Sequence, residues 1–155
     1  MIALSFANKF PPAQVVATDI SEEALSLAQE NAQRLGLAQR VRFVQGNLLE
    51  NFTERFDLIV ANLPYVSRRA QSSLSREVRH DPELALFGGE EGDEMIRRLI
   101  AEASARLEAG GQLALEVGID QIEGLSETLL RKNYHDIESK RDYSGTPRFL
   151  FARYG

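Results

Sequence analysis

The residues best suited to chemistry stand together as Asn62-Leu63-Pro64-Tyr65. The Asn62 carboxamide can accept and donate hydrogen bonds at once. Pro64 biases Leu63 toward an extended backbone, which would turn the Leu63 carbonyl outward as a second acceptor. Two acceptors beside an aromatic ring suit a planar amide or amine. The alternative is a strand-ending turn with a structural tyrosine. A second candidate is Asp19, placed between a β-branched run and a helix start. An acid there can grip the two hydroxyls of a nucleoside ribose, or it can serve as an extra helix cap. Asn47-Leu48 is the third candidate: an amide to reach an adenine edge and an aliphatic chain to lie against its ring. Its alternative is a turn asparagine beside a packing leucine.

These residues need elements that present them. Phe56 to Ala61 reads as a strand, and the apolar run Leu58 to Ala61 predicts one covered on both faces, as in a parallel sheet. Asn62 falls where that strand ends, at the place where ligands of open α/β sheets bind. Val15-Val16-Ala17-Thr18 is a shorter strand ending at Asp19. Ser21 is an N-cap, Glu22 and Glu23 favour the first turn, and Gly36 is the stop. Arg40 to Gln45 is a third strand. Met1 to Phe10 reads as a helix closed by Pro11-Pro12. Val66 to Gly92 is long and polar, with a short helix expected through Leu74 and Val78. A loop of that length in a compact domain is usually functional or disordered, and this one abuts the Asn62 segment, which favours a substrate-facing role. Asp93 to Ala109 reads as a helix stopped by Gly110-Gly111. Gln112 to Val117 is a strand, Asp120 caps a helix to Lys132, and strands follow around Asp136–Ser139 and Arg148–Ala152. Strands alternating with helices, then a closing antiparallel pair, predict a doubly wound α/β sheet.

Composition narrows the partners. The 155 residues fit one domain, so 1–155 is read as a single unit, and 43% hydrophobic content supports a packed core. Lys+Arg of 18 against Asp+Glu of 23 gives a formal charge of −5. That argues against general nucleic-acid binding, although Arg68, Arg69, Arg76 and Arg79 form a local basic group. There is no cysteine, and His80 and His135 lie in polar surroundings, so no metal site is expected. No run reaches the ~18 apolar residues of a membrane helix, and no signal-peptide pattern is seen at the start. A cytoplasmic protein with no membrane partner is the expectation.

Several separate blocks carry a resemblance. They include Ile2-Ala3-Leu4-Ser5, Ala17-Thr18-Asp19-Ile20-Ser21, Asp57 to Val66, Glu77-Val78, Asp81-Pro82 and Ala85-Leu86. Gly88-Gly89-Glu90-Glu91-Gly92, Gly110-Gly111, Leu115-Glu116-Val117-Gly118 with Gln121, and Asp142-Tyr143 with Gly145 and Arg148 complete them. Together, in this order, the chain resembles the HemK/PrmC family of peptide chain release factor N5-glutamine methyltransferases. The resemblance implies a Rossmann-like class I S-adenosylmethionine-dependent methyltransferase sheet with C-terminal antiparallel strands. It implies S-adenosylmethionine as methyl donor and a release-factor glutamine as acceptor. Asp19 and Ile20 would lie at the ribose, Asn47 and Leu48 at the adenine, and Asn62, Leu63, Pro64 and Tyr65 at the reacting amide, with Asn62 also bordering the cofactor. Asp19 and Asn62 are expected to serve one cleft. The family's Asn-Pro-Pro-Tyr is Asn-Leu-Pro-Tyr here, which keeps a carbonyl at the second position, and an expected acid is Asn47. The tetrad also occurs in rRNA adenine dimethylases, so an adenine-N6 methyltransferase acting on nucleic acid is the first rival. The family's first strand and Gly-rich loop should precede Met1. Their absence predicts a disturbed sheet, or a gap filled by another segment or chain, and weak cofactor binding. An inactive fragment is therefore the second rival.

Overall fold

The computed structural model describes residues 2–73 and 86–155. The chain packs as two units, Met1–Phe52 and Thr53–Gly155. In the first, α1 (Ile2–Lys9), β1 (Val15–Asp19), α2 (Glu22–Arg34) and β2 (Val41–Gln45) follow in order. β1 and β2 run parallel, from Val15↔Val41 to Asp19↔Gln45, so both strands end on the same sheet edge. Leu4 and Ala7 of α1, Ala32 of α2, Leu37 and Val41 form the core, with Val15, Ala17 and Phe43 packed against it. The predicted caps of α2 are present. Ser21 Oγ accepts from the Ala24 N–H at 3.1 Å. At the far end Gly36 adopts φ +69°. The Leu37 N–H reaches the Ala32 carbonyl at 2.8 Å and the Gly36 N–H reaches Gln33 at 3.0 Å, which satisfies carbonyls the helix leaves open.

The second unit holds β3 (Phe56–Asn62), β4 (Val66–Ser67), β5 (Phe87–Gly89), α3 (Glu94–Ala103), β6 (Leu107–Glu116), α4 (Ile122–Arg131), β7 (Tyr134–Arg141) and β8 (Pro147–Tyr154). Four strands form one sheet in the order β3-β6-β8-β7. β3 is parallel to β6, and β8 runs antiparallel to both β6 and β7. The expected closing antiparallel strands are therefore found. β4 and β5 pair in a small ladder of their own, and β1–β2 in a third. Ile96, Leu99 and Ile100 of α3, Leu125 and Leu129 of α4, Leu113 and Leu115 of β6, and Leu150 of β8 are all buried. Each such side chain contributes about 1.5–3 kcal/mol by leaving water. No helix among the described residues is long and apolar enough to cross a membrane, and no group of three metal-ligating side chains is found among them.

Four expectations are corrected. β3 is not covered on both faces: Ile59 is buried, while Val60, which points to the other face, stays 42% exposed. The helix expected to Ala109 ends at Ala103, because Leu107 is drawn into the sheet opposite Phe56. The Phe56 N–H bonds to the Arg106 carbonyl at 2.8 Å, and Arg55 Nη1 to the Leu107 carbonyl at 2.7 Å. Gly110-Gly111 thus forms a bulge within β6, where pairing jumps from Phe56↔Leu107 to Leu58↔Gln112. Asp120 does not cap α4. A short 3₁₀ turn, Ile119–Gln121, leads into it, and the Gln121 side chain closes that turn. Gly88-Gly89 is strand, not loop, because it pairs with Val66–Ser67. The helix expected through Leu74 and Val78, the blocks Glu77-Val78 and Asp81-Pro82, and Arg76, Arg79 and His80 lie outside the described residues.

Candidate active site

In the second unit the site begins where β3 stops. Asn62 is exposed at the carboxyl end of β3, with Glu116 of β6 as its register partner. Leu63, Pro64 and Tyr65 leave the ladder and lead into β4. The following glycines back this turn. A Cβ on Gly88 would collide with the carbonyls of Pro64 and Gly92. One on Gly92 would stand 2.6 Å from the Tyr65 carbonyl oxygen and 2.7 Å from the Ser67 nitrogen. Only glycine allows the two backbones to approach this closely. Glu94 fixes the glycine segment by accepting from the N–H groups of Glu91 at 3.0 Å and Gly92 at 2.9 Å. The Glu91 N–H is the main cause that holds the Glu94 carboxyl below its usual range.

Both ends of Tyr65 are tied. Its carbonyl accepts from Gln121 Nε2 at 2.8 Å, and Gln121 Oε1 accepts from the Gly118 N–H at 2.9 Å. Its hydroxyl donates to Glu116 Oε1 and accepts from Arg148 Nη1, both at 3.4 Å. The Arg148 guanidinium lies 5.6 Å from the ring centroid, within cation–π range. Burial is the main cause that raises the Tyr65 phenol above its ordinary pKa, Arg148 opposes the rise, and Glu116 adds to it. Arg148 Nε also faces Asp142 Oδ2 at 3.8 Å. Asp142 closes the β7–β8 turn: its Oδ1 accepts from the Ser144 N–H at 2.9 Å, the Ser144 hydroxyl at 2.6 Å and the Thr146 N–H at 3.0 Å. An acid, a phenol, a guanidinium and a second acid thus run in series from β6 through the motif to the hairpin.

In the first unit Asp19, Ile20, Asn47 and Leu48 share the edge where β1 and β2 end. Asp19 Oδ1 accepts from the Ser21 N–H at 2.9 Å, as a capping acid would. One oxygen of a carboxylate suffices for that, which leaves the other for a ligand hydroxyl. Ile20 is 56% exposed. The Gly46 N–H bonds to the Asp19 carbonyl at 3.1 Å and joins the two strand ends. The Asn47 N–H is held by Glu50 Oε1 at 3.0 Å. Leu48 is buried and has φ +57°, a left-handed backbone that costs leucine about 1–2 kcal/mol. Thr18 Oγ1 is buried with no partner among the described residues. The Asp19 carboxylate at the end of β1, beside exposed Ile20, is placed as an acid that could hold ribose hydroxyls. Glu116, Gln121 and Arg148 stand in the resembling blocks, but their positions relative to Tyr65 follow from the fold. The one local signal was Gln121 three residues after Gly118, the spacing of a side chain that reaches back to a cap.

A family profile described as "Methyltransferase domain" matches residues 2–116. The chain is 43% identical over 152 residues to a protein of Deinococcus radiodurans named release factor glutamine methyltransferase, covering 98% of this chain and 54% of that protein. It is also 43% identical over 118 residues to one of Bordetella pertussis named ribosomal protein uL3 glutamine methyltransferase, covering 76% of this chain and 40% of the other. The chain spans about half the length of the curated relatives it matches. Among solved structures it is similar to a methyltransferase from Pyrococcus furiosus, with TM-score 0.76 and 26% identity, covering all of this chain and 69% of that one.

Proposed function

The chain belongs to the family of methyltransferase domains, and from that premise we propose that it transfers a methyl group from S-adenosylmethionine to the side-chain amide nitrogen of a glutamine in a peptide chain release factor. The names of several relatives support the acceptor. The observation that carries the reading is the Asn62–Tyr65 turn at the carboxyl end of β3, braced by Gln121, Glu116 and Arg148. Under this reading residues 1–155 act as one catalytic domain in the cytoplasm. The first unit supplies nucleoside contacts through Asp19, Ile20, Asn47 and Leu48, and the second supplies the amide contacts.

When bound, S-adenosylmethionine supplies a methyl group on a positively charged sulfur. The chain's own residues must make a poor nucleophile attack it, because the lone pair of an amide nitrogen is delocalised. The Asn62 side-chain oxygen and the Leu63 carbonyl accept the two amide hydrogens and fix the amide plane. The Tyr65 ring packs on that plane, and Pro64 keeps the Leu63 backbone extended. Orientation and hydrogen bonds that localise the lone pair supply most of the rate. No side-chain base is required before transfer, since the amide proton becomes acidic once the new N–C bond forms.

Methyl incorporation from labelled donor into a release factor, with RNA and DNA in parallel, tests the acceptor class. Asn62→Ala tests the site: turnover should fall about 100-fold, while donor affinity by calorimetry changes less than about threefold. Equal losses in both, or labelling of nucleic acid in place of the protein, would overturn the reading.

A further inference from the structure

We infer that Gln121 is a positioning residue for the amide acceptor, the strut that sets the Asn62–Tyr65 turn against the end of β6. This rests on the amide-methylation reading of that turn. The Gln121 side chain touches two backbone groups of fixed polarity. Its Oε1 accepts from the Gly118 N–H at 2.9 Å, and its Nε2 donates to the Tyr65 carbonyl at 2.8 Å. An N–H can only donate and a carbonyl can only accept, so the orientation of the amide is dictated. A carboxamide does both through the two atoms of one planar end. Asn would be one methylene short, and Glu would lose the donor.

The strut joins distant segments. Tyr65 and Gln121 are 56 positions apart. Gly118 directly follows Val117, whose N–H bonds to the Arg148 carbonyl at 2.9 Å on β8. The turn is thereby referenced to the central strands of the four-stranded sheet. Gly92 also packs close to the Tyr65 carbonyl, and the Gln121 bond ties that carbonyl to the end of β6. Leu63 and Asn62 are two and three residues upstream on the same turn. A shift of that carbonyl therefore moves the acceptors that hold the substrate amide.

The discriminating substitution is Gln121→Glu. It keeps an oxygen for the Gly118 N–H but sets a carboxylate against the Tyr65 carbonyl. Protonation of that carboxylate restores a donor. In the full chain at pH 8, turnover on the release factor should fall about threefold to tenfold, the loss of one such bond, with the KM for S-adenosylmethionine within twofold of wild type. The ratio of variant to wild-type turnover should then recover as pH is lowered toward 5.5. Glu116 and Arg148 beside Tyr65, and Asp120 and Glu123 flanking position 121, are common to both proteins and cancel in the ratio. A ratio flat with pH, or a KM that rises as much as turnover falls, overturns the inference. Hydrogen exchange across residues 62–67, which needs no substrate, should be about threefold to tenfold faster in the variant at pH 8. Unchanged exchange refutes the strut by itself. Faster exchange in the variant, beside a wild type that methylates no glutamine, would instead sink the functional reading and leave the strut standing.

Discussion

Replacing Tyr65 by Phe removes the hydroxyl and keeps the ring, which separates the network around Tyr65 from its stacking role. The hydroxyl makes two hydrogen bonds to charged partners, Glu116 and Arg148, each at 3.4 Å. Bonds to charged groups are worth about 1.5–3 kcal/mol when short, and neutral ones about 0.5–1.5. At 3.4 Å both lie past the usual range, so each is set at the low end. Arg148 retains Asp142 at 3.8 Å, and solvent reaches both partners, so neither charge is stranded. The cost is therefore about 1–2 kcal/mol. For a chain of this size that lowers the melting temperature by about 2–8 °C. If the whole loss were felt in the transition state, turnover would fall about 5- to 30-fold. Thermal unfolding by circular dichroism and the methyl-transfer assay measure the two effects. An unchanged melting temperature together with unchanged turnover would show that the acid–phenol–guanidinium series holds nothing. A loss beyond about 1,000-fold with the melting temperature intact would mean that the phenol takes part in bond making, against the positioning argument.

Two further outcomes are expected. Glu94 and Asp142 have carboxyls held below ordinary values of 4.5 and 3.8, chiefly by the Glu91 N–H and the Ser144 hydroxyl. A depressed folded pKa gives stability that is present above the unfolded value and lost as pH falls through the folded one. Urea midpoints should hold from pH 7 to about pH 5 and then drop below about pH 4, and Glu94→Gln should flatten that drop. Midpoints insensitive to pH in both proteins would contradict the two assignments. Gly88→Ala forces a methyl into the Pro64 and Gly92 carbonyls, at a cost of about 1–3 kcal/mol. It should also lower turnover, whereas Gly145→Ala, with nothing within 4 Å of its added carbon, should cost only about 1–2 kcal/mol of backbone strain and leave turnover alone.

What the sequence made legible was local. Ser21, Glu22, Glu23 and Gly36 bound α2 because caps act within one turn of themselves. The β7–β8 pair was readable because two short alternating runs flank a turn-rich link. Leu107 was not, since an apolar residue at helical spacing is equally at home in a strand, and its partner Phe56 lies far back in the chain. The same limit hid the purpose of Gln121. Its contact with Gly118 is local and has a recognisable spacing, while its contact with Tyr65 exists only once β3 and β6 lie side by side. Val60 reads as buried by composition, but whether its face of β3 is covered depends on packing by segments distant in sequence, and it stays 42% exposed.

The hairpin between β7 and β8 carries a consequence for how this chain can vary. Surface turns ordinarily tolerate insertions and deletions. Here Asp142 both ties off the turn, through Ser144 and Thr146, and stands as counter-ion to Arg148. An added or lost residue would pull these two tasks apart. Drift in the length of this turn should therefore be penalised as if it were a change in the interior, although every residue from Tyr143 to Gly145 is open to water.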